Sequence, residues 1–249
     1  MASVLNRSLE RGIDILRAFR PGSTLLGNSE IAERTGLAPA TVSRLTQTLV
    51  STGLLEHDPA ARAYRLAAPV LSLAHAMRTG STVLQVAAPL MRAVAEKLRV
   101  NVGLARQDRS EMVYLESIRY NRRASLRTVV SGQRVPIELT SLGRAWLAVA
   151  TPSQRTALFA DFKARRHDWP QLRPDIDRAM QHVAAQGWCA ASWQPEVIAL
   201  AMPLDLGDGS GHALNISVSS SQSMDDVTRD FSRPLCALGR QIEQAIRQA

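Results

Sequence analysis

The stretch Leu37–Gly53, LAPATVSRLTQTLVSTG, decides how the chain reads. Pro39 suits the first turn of a helix, where its missing N–H has no intrahelical partner to lose. Val42, Leu45 and Leu49 recur at helical spacing and predict a buried stripe. Between them stand Thr41, Ser43, Arg44, Gln47 and Thr48, and Gly53 closes the segment. These short or planar hydrogen-bonding side chains suit phosphates and base edges in a major groove. They equally suit an ordinary amphipathic surface helix, so the flanking sequence must decide.

Upstream, Leu9, Ile13 and Leu16 share one face of a helix in SLERGIDILRAF, which Pro21-Gly22 ends. Thr24–Leu26 reads as a short apolar link. Asn28 or Ser29 is placed to N-cap a second helix, SEIAERTG, with Glu30 favoured in its first turn by the helix dipole. Gly36 fits the left-handed residue after that helix, and Leu37 turns into the core. Helix, glycine turn, helix is the helix-turn-helix arrangement, whose second helix, here 39–51, enters the major groove. Downstream, Leu54–His57 and Arg62–Leu66 alternate around Asp58-Pro59-Ala60-Ala61 and predict a hairpin. In that place it is a wing, over 55–66, whose Arg62 and Arg65 either reach DNA or are simply solvated.

Composition sets the outer limits. A chain of 249 residues, 45% of them hydrophobic, is long enough for two modest domains with real cores. No apolar run approaches the ~20 residues that span a bilayer, and no secretory h-region is visible. A soluble cytoplasmic protein is expected, with no membrane partner. The net charge is +8, but residues 1–80 hold 9 basic and 6 acidic side chains and the remainder 21 and 16. Charge alone therefore does not locate a nucleic-acid surface. Cys189 and Cys236 make no disulfide framework and read as buried free thiols. Five histidines without an HExxH pair give no metal pattern, and no cofactor is expected. The loop Gly207-Asp208-Gly209-Ser210-Gly211 has the wrong spacing for a nucleophile elbow, and no Walker A lysine motif occurs. An enzyme is not expected, and no catalytic residue is assigned.

Beyond the wing, Val70, Leu73 and Met77 recur at helical spacing until Thr79-Gly80-Ser81, and Val86, Leu90, Val94 and Leu98 follow. Neither helix has enough flanking chain to form a core on its own. From Val100 the period falls to two. Asn101–Ala105 and Met112–Ile118 form an antiparallel pair, and Leu126–Val130 reads as a third strand after the basic loop Arg119–Arg123. Thr140 or Ser141 N-caps a helix over Leu142–Ala150, while Pro136 cannot sit in a central strand. Helices are expected over Pro152–Phe162 and Pro174–Gln186, strands over Trp188–Trp193, Val197–Leu204 and His212–Ser219, and a last helix over Val227–Gln248.

The run EIAERTGLAPATVSRLTQTLVSTGLLEHD, with YRL after it, resembles the winged helix-turn-helix of the IclR family of bacterial transcription regulators. Ala40-Thr41-Val42-Ser43-Arg44-Leu45 and Thr48-Leu49 match its recognition-helix pattern. The wing departs in one place: Tyr64-Arg65-Leu66-Ala67 has alanine where the family usually has glycine. The resemblance covers nearly the whole chain and implies an α+β protein. A winged helix-turn-helix domain would occupy 1–67, a connector helix 68–85, and a GAF-like antiparallel-sheet effector and oligomerisation domain 86–249. It implies DNA contacts from Asn28, Ser29, Pro39, Ala40, Thr41, Ser43, Arg44, Gln47, Thr48, Arg62 and Arg65.

For the effector, the resemblance implies contacts from Ser141, Leu142, Val197, Ala199, Asn215 and Ser217, and Cys189 and Trp193 stand beside them as candidates. The residues agree in part: a helix start at Thr140–Ala145 offers N–H donors to a carboxylate, and Asn215 and Ser217 share a strand face. Trp193 reads either as a pocket residue or as core. Arg127 and Arg134 are carboxylate partners or solvated surface groups. The stretches RRASLRTVVSGQRVPIELTSLGRAWLA and ALNISVS are most similar to the branch that responds to aromatic acids, although Ala191–Glu196 departs from the family pattern. The implied partners are a double-stranded DNA operator, a small organic acid, and further copies of the chain as a homodimer or dimer of dimers. Two alternatives stand beside this reading: a DNA-bound module whose second domain only oligomerises or binds a protein, and a small-acid enzyme.

Overall fold

The computed structural model describes residues 6–120, 129–194, 197–207, 209, 211–219 and 222–248. The chain divides into two compact units, Met1–Gly80 and Ser81–Ala249.

The first unit holds α1 (Arg7–Ala18), β1 (Leu26–Gly27), α2 (Asn28–Thr35), α3 (Pro39–Ser51), β2 (Leu55–Asp58), β3 (Ala63–Leu66) and α4 (Ala68–Thr79). Ile15, Phe19, Leu26, Ile31, Val42, Leu45, Leu49, Leu55 and Tyr64 form its core, so the stripe expected on 39–51 is the buried one. Gly36 takes the left-handed conformation, φ +68, that reverses the chain between α2 and α3.

Three local expectations change here. Leu9 and Ile13 are 62% and 44% exposed, because α1 meets α2 and α3 through Ile15, Ala18 and Phe19 instead. Neither Asn28 nor Ser29 caps α2. Gly27 does, since pairing of β1 with β3 keeps it extended, and the Glu30 carboxylate accepts its N–H at 2.8 Å. The apolar link over Thr24–Leu26 thus supplies a third strand, giving the order β1-β3-β2. Ala67, in place of the family's glycine, has φ −88 and N-caps α4, so its Cβ is accommodated without strain.

The second unit holds α5 (Thr82–Leu98), β4 (Asn101–Asp108), β5 (Glu111–Ile118), β6 (Arg134–Pro136), α6 (Ser141–Val149), α7 (Pro152–Arg165), α8 (Trp169–Gln186), β7 (Cys189–Gln194), β8 (Val197–Leu204), β9 (His212–Ser219) and α9 (Met224–Arg247). Residues 82–85 belong to α5, and the units part at Gly80, so the expected connector 68–85 straddles that division.

The sheet is antiparallel in the order β6-β5-β4-β9-β8-β7. Pro136 ends edge strand β6, where a lost ladder donor is tolerated. The expected strand over Leu126–Val130 lies mostly outside the described residues. α8 begins five residues before the expected start, with Pro174 inside it, because Pro170 already opens the first turn.

The two sheet faces differ in side-chain size. One presents Val102, Leu104, Ile198, Leu200, Met202, Leu214 and Ile216 to α5 and α9. The other meets α6 with Gly103, Ala105, Ala199, Ala201, Ala213 and Asn215. Small residues there let α6 approach closely. A Cβ on Gly143 would stand 2.2 Å from the Ile137 backbone. Cys189 is buried as expected, but Cys236 is only half-buried.

Candidate nucleic-acid interface and effector pocket

The outer face of α3 follows from its inner one. With Val42, Leu45, Thr46 and Leu49 buried, helical geometry turns Pro39, Ala40, Arg44, Gln47 and Thr48 outward, with Thr41 and Ser43 half-buried at the margins. Thr46, a polar residue on the apolar side, is satisfied by donating to the Val42 carbonyl at 2.9 Å. Ala38 is the N-cap and has no side chain able to accept the first-turn N–H groups. Ser29 is exposed at the start of α2, whereas Asn28 is half-buried with its Oδ1 turned inward, unpartnered among the described residues.

The hairpin positions two arginines differently. Arg62 is exposed at the tip, at φ +51. Arg65 is half-exposed and ion-paired to Asp58 across the hairpin. The Ala61 N–H, at 3.0 Å, and the Arg65 charge hold the Asp58 carboxyl below its usual range, so this turn is fastened by a charged pair.

Of the expected effector residues, Cys189, Ala199, Asn215 and Ser217 fall on the small-residue face of the sheet, and Ser141 and Leu142 lie in α6. Strand register places Cys189, Ala201, Asn215 and Gly103 in one row, and Ala191, Ala199, Ser217 and Asn101 in the next. Ser141 and Leu142 are buried in the first turn of α6, the Thr140 hydroxyl accepts the Gly143 N–H at 3.2 Å, and the Cys189 thiol donates to the Ser141 carbonyl at 3.4 Å. Cys189 is thereby held against the α6 start formed by Ser141 and Leu142, and Ala199, Asn215 and Ser217 share its sheet face. Val197 is half-buried at the end of the same face. Trp193 is not core: the register shift after Ala191 leaves its indole 37% exposed.

Two residues absent from the sequence reading join this site. The Tyr114 hydroxyl accepts the Asn215 Nδ2–H at 3.3 Å, and burial pushes the phenol up to about 12, so it is neutral. Asn215 Oδ1 is buried without a hydrogen-bond partner among the described residues, an open acceptor inside the site. Gly103 is required beneath it, since a Cβ there would lie 2.4 Å from both Asn215 Oδ1 and the Tyr114 ring. The alternation of β5 put Tyr114 on the inner face, but only strand order sets it against Asn215. Arg134 is neither a carboxylate site nor a solvated group. Its Nε and Nη2 bind Glu111 at 2.7 Å and Asp108 at 2.5 Å, partners that hold its charge against burial. Arg127 lies outside the described residues.

Comparison with known proteins decides what these parts belong to. The IclR helix-turn-helix domain matches residues 8–59, and the bacterial transcriptional regulator IclR C-terminal domain matches residues 75–244. The chain belongs to the IclR family. Its members are DNA-binding transcriptional regulators, not enzymes.

Among its IclR relatives, the HTH-type transcriptional regulator TsaQ1/TsaQ2 of Comamonas testosteroni is 35% identical over 74% of this chain and 66% of its own length. The Pca regulon regulatory protein of Pseudomonas putida is 29% identical over 84% of this chain and 73% of its own. An IclR family regulator from Brucella abortus superposes with a TM-score of 0.88 at 32% identity, covering 98% of this chain and 94% of that one. An IclR homologue from Microbacterium hydrocarbonoxydans, complexed with 4-hydroxybenzoate, shares the fold at a TM-score of 0.71 and 23% identity, over 97% and 100% of the two chains.

Proposed function

We propose that this IclR regulator binds its operator through α3, with the hairpin as a wing, and that the sheet face beside α6 senses a small carboxylic acid. The observation that carries the DNA reading is the outer face of α3, where Arg44, Gln47 and Thr48 stand together over the buried stripe of Val42, Leu45 and Leu49. Arginine and glutamine are the side chains that read guanine and adenine edges bidentately. The start of α3, uncapped by any side chain, offers the Ala40 N–H and the positive end of the helix dipole to a phosphate. Arg62 at the tip reaches a neighbouring phosphate or the minor groove.

The buried Asn215 acceptor and the Ser141–Leu142 helix start support the ligand reading. Together they would accept a hydroxyl hydrogen and donate to a carboxylate. The 4-hydroxybenzoate bound by the Microbacterium homologue carries both groups, and a hydroxylated aromatic acid is the class we favour.

Self-association is part of the same proposal. No residue of α4 is buried, and Leu71, Leu73 and Met77 are 74%, 63% and 52% exposed, with Leu9 and Ile13 uncovered on α1. A second copy covering these residues would present two α3 helices to half-sites about one turn of DNA apart.

Gel-shift titration of the full chain against the DNA flanking its own gene tests the reading. Binding should weaken steeply with salt, and Arg44→Ala should cost about 1–3 kcal/mol of operator affinity at unchanged folding stability. Absent or salt-insensitive binding overturns the proposal. Unfolding by Arg44→Ala with intrinsic operator affinity intact would show that α3 faces the other way.

A further inference from the structure

A cleft of about 410 Å³ opens in the second unit between α8, β7 and the first turns of α9, at the edge of the sheet farthest from β6. That volume is in the range of small-molecule sites. Arg144, from α6, lines it half-buried. Its Nε donates to the Glu138 carbonyl at 3.0 Å, and among the described residues no carboxylate pairs with it. Its other N–H donors are therefore available to an acceptor in the cleft. Asp175, the acid that also lines the cleft from α8, is taken up by Arg178 three residues along the helix. Burial lowers the Arg144 pKa, the mark of a desolvated cation whose counter-charge is incomplete.

The wall beside Arg144 is aromatic. Trp188 and His182 both line the cleft and meet edge-to-face with centroids 4.4 Å apart. Asp225 lies at the exposed rim, where solvent and salt screen its charge. At the back, Cys189 donates to the Ser141 carbonyl, so the cleft and the sheet-face pocket share the first turns of α6.

We propose that this cleft is a second ligand site, which takes a small aryl carboxylate. Its carboxylate pairs with the Arg144 guanidinium, and its ring packs on Trp188 and His182. The site is distinct from the pocket around Asn215, and a ligand there alters effector affinity only insofar as it prefers one position of α6.

The full chain labelled with 5-fluorotryptophan tests this, its four resonances assigned by Trp→Phe variants. Benzoate should shift the Trp188 signal saturably, and the neutral isostere benzamide should not. Arg144→Gln should weaken the benzoate response roughly ten- to hundred-fold, the worth of a charge-assisted pair. Thr228→Phe, which fills the cleft from α9, should abolish it and serves where Arg144→Gln does not fold. Asn215→Leu, in the other pocket, should leave it unchanged. A Trp188 signal unmoved by benzoate, moved equally by benzamide, or still responsive in Thr228→Phe overturns the proposal.

Discussion

At the scale of single residues, burial decides which chemistry is available. Cys189 is 1% exposed, and burial pushes its thiol up to about 12, partly opposed by the Arg144 charge. A raised thiol pKa means the reactive thiolate is scarce, about one part in ten thousand at pH 8. Iodoacetamide at pH 8 should therefore spare Cys189 in the folded protein and alkylate it after unfolding in urea, as read by mass spectrometry of the digest. Gly143 shows the same control by packing. Its hydrogen stands against the Ile137 backbone, so Gly143→Ala must push α6 away from the turn that precedes it. The expected cost is about 3 kcal/mol in urea unfolding, with loss of effector response. Both residues were visible in the sequence only as a lone thiol and a helical glycine. The constraint on Cys189 comes from a helix start 48 residues away, and that on Gly143 from the turn just before its own helix, which folds back against it.

At the scale of elements, the periodic segments were legible and their partners were not. The stripe on α3 emerged from spacing alone because three residues at helical period have one way to face a core. On α1 the same rule chose Leu9 and Ile13, yet Ile15 and Phe19 are buried, since two apolar faces competed and the packing of α2 and α3 chose between them. β1 was illegible because two residues carry no period. α4 is the opposite case, clearly periodic but uncovered. If a second copy covers it, Leu73→Glu with Met77→Glu should shift the full chain toward monomer in sedimentation equilibrium. Thermal stability of the second unit should not change. Operator affinity should fall with the loss of the paired half-site.

At the scale of the whole molecule, regulation requires that ligand and DNA prefer related states of one chain. An effector that binds only the folded protein must stabilise it, by about 2.7 kcal/mol at a hundredfold excess over Kd. A thermal-shift panel of hydroxylated aromatic and aliphatic acids should raise Tm with at least one member. The same member should change the gel-shift midpoint, and Asn215→Leu should abolish that change and reduce the Tm rise to what binding in the Arg144 cleft supplies. A flat panel would favour a second unit that only assembles the protein.

The sequence by itself determined the two-part organisation, α3 and its buried stripe, the hairpin after it, and most strands of the second unit. These are written in local periods of 3.6 and 2 and in glycine and proline punctuation, which neighbouring residues settle among themselves. Tertiary structure alone decided which face of α1 is buried, that Arg134 is spent on Asp108 and Glu111, and that Tyr114 and Gly103 attend Asn215. It also decided that Arg144 reaches an aromatic cleft without a paired carboxylate among the described residues. Each of these depends on strand order and on side chains from elements far apart in the chain, and no spacing along the sequence encodes them.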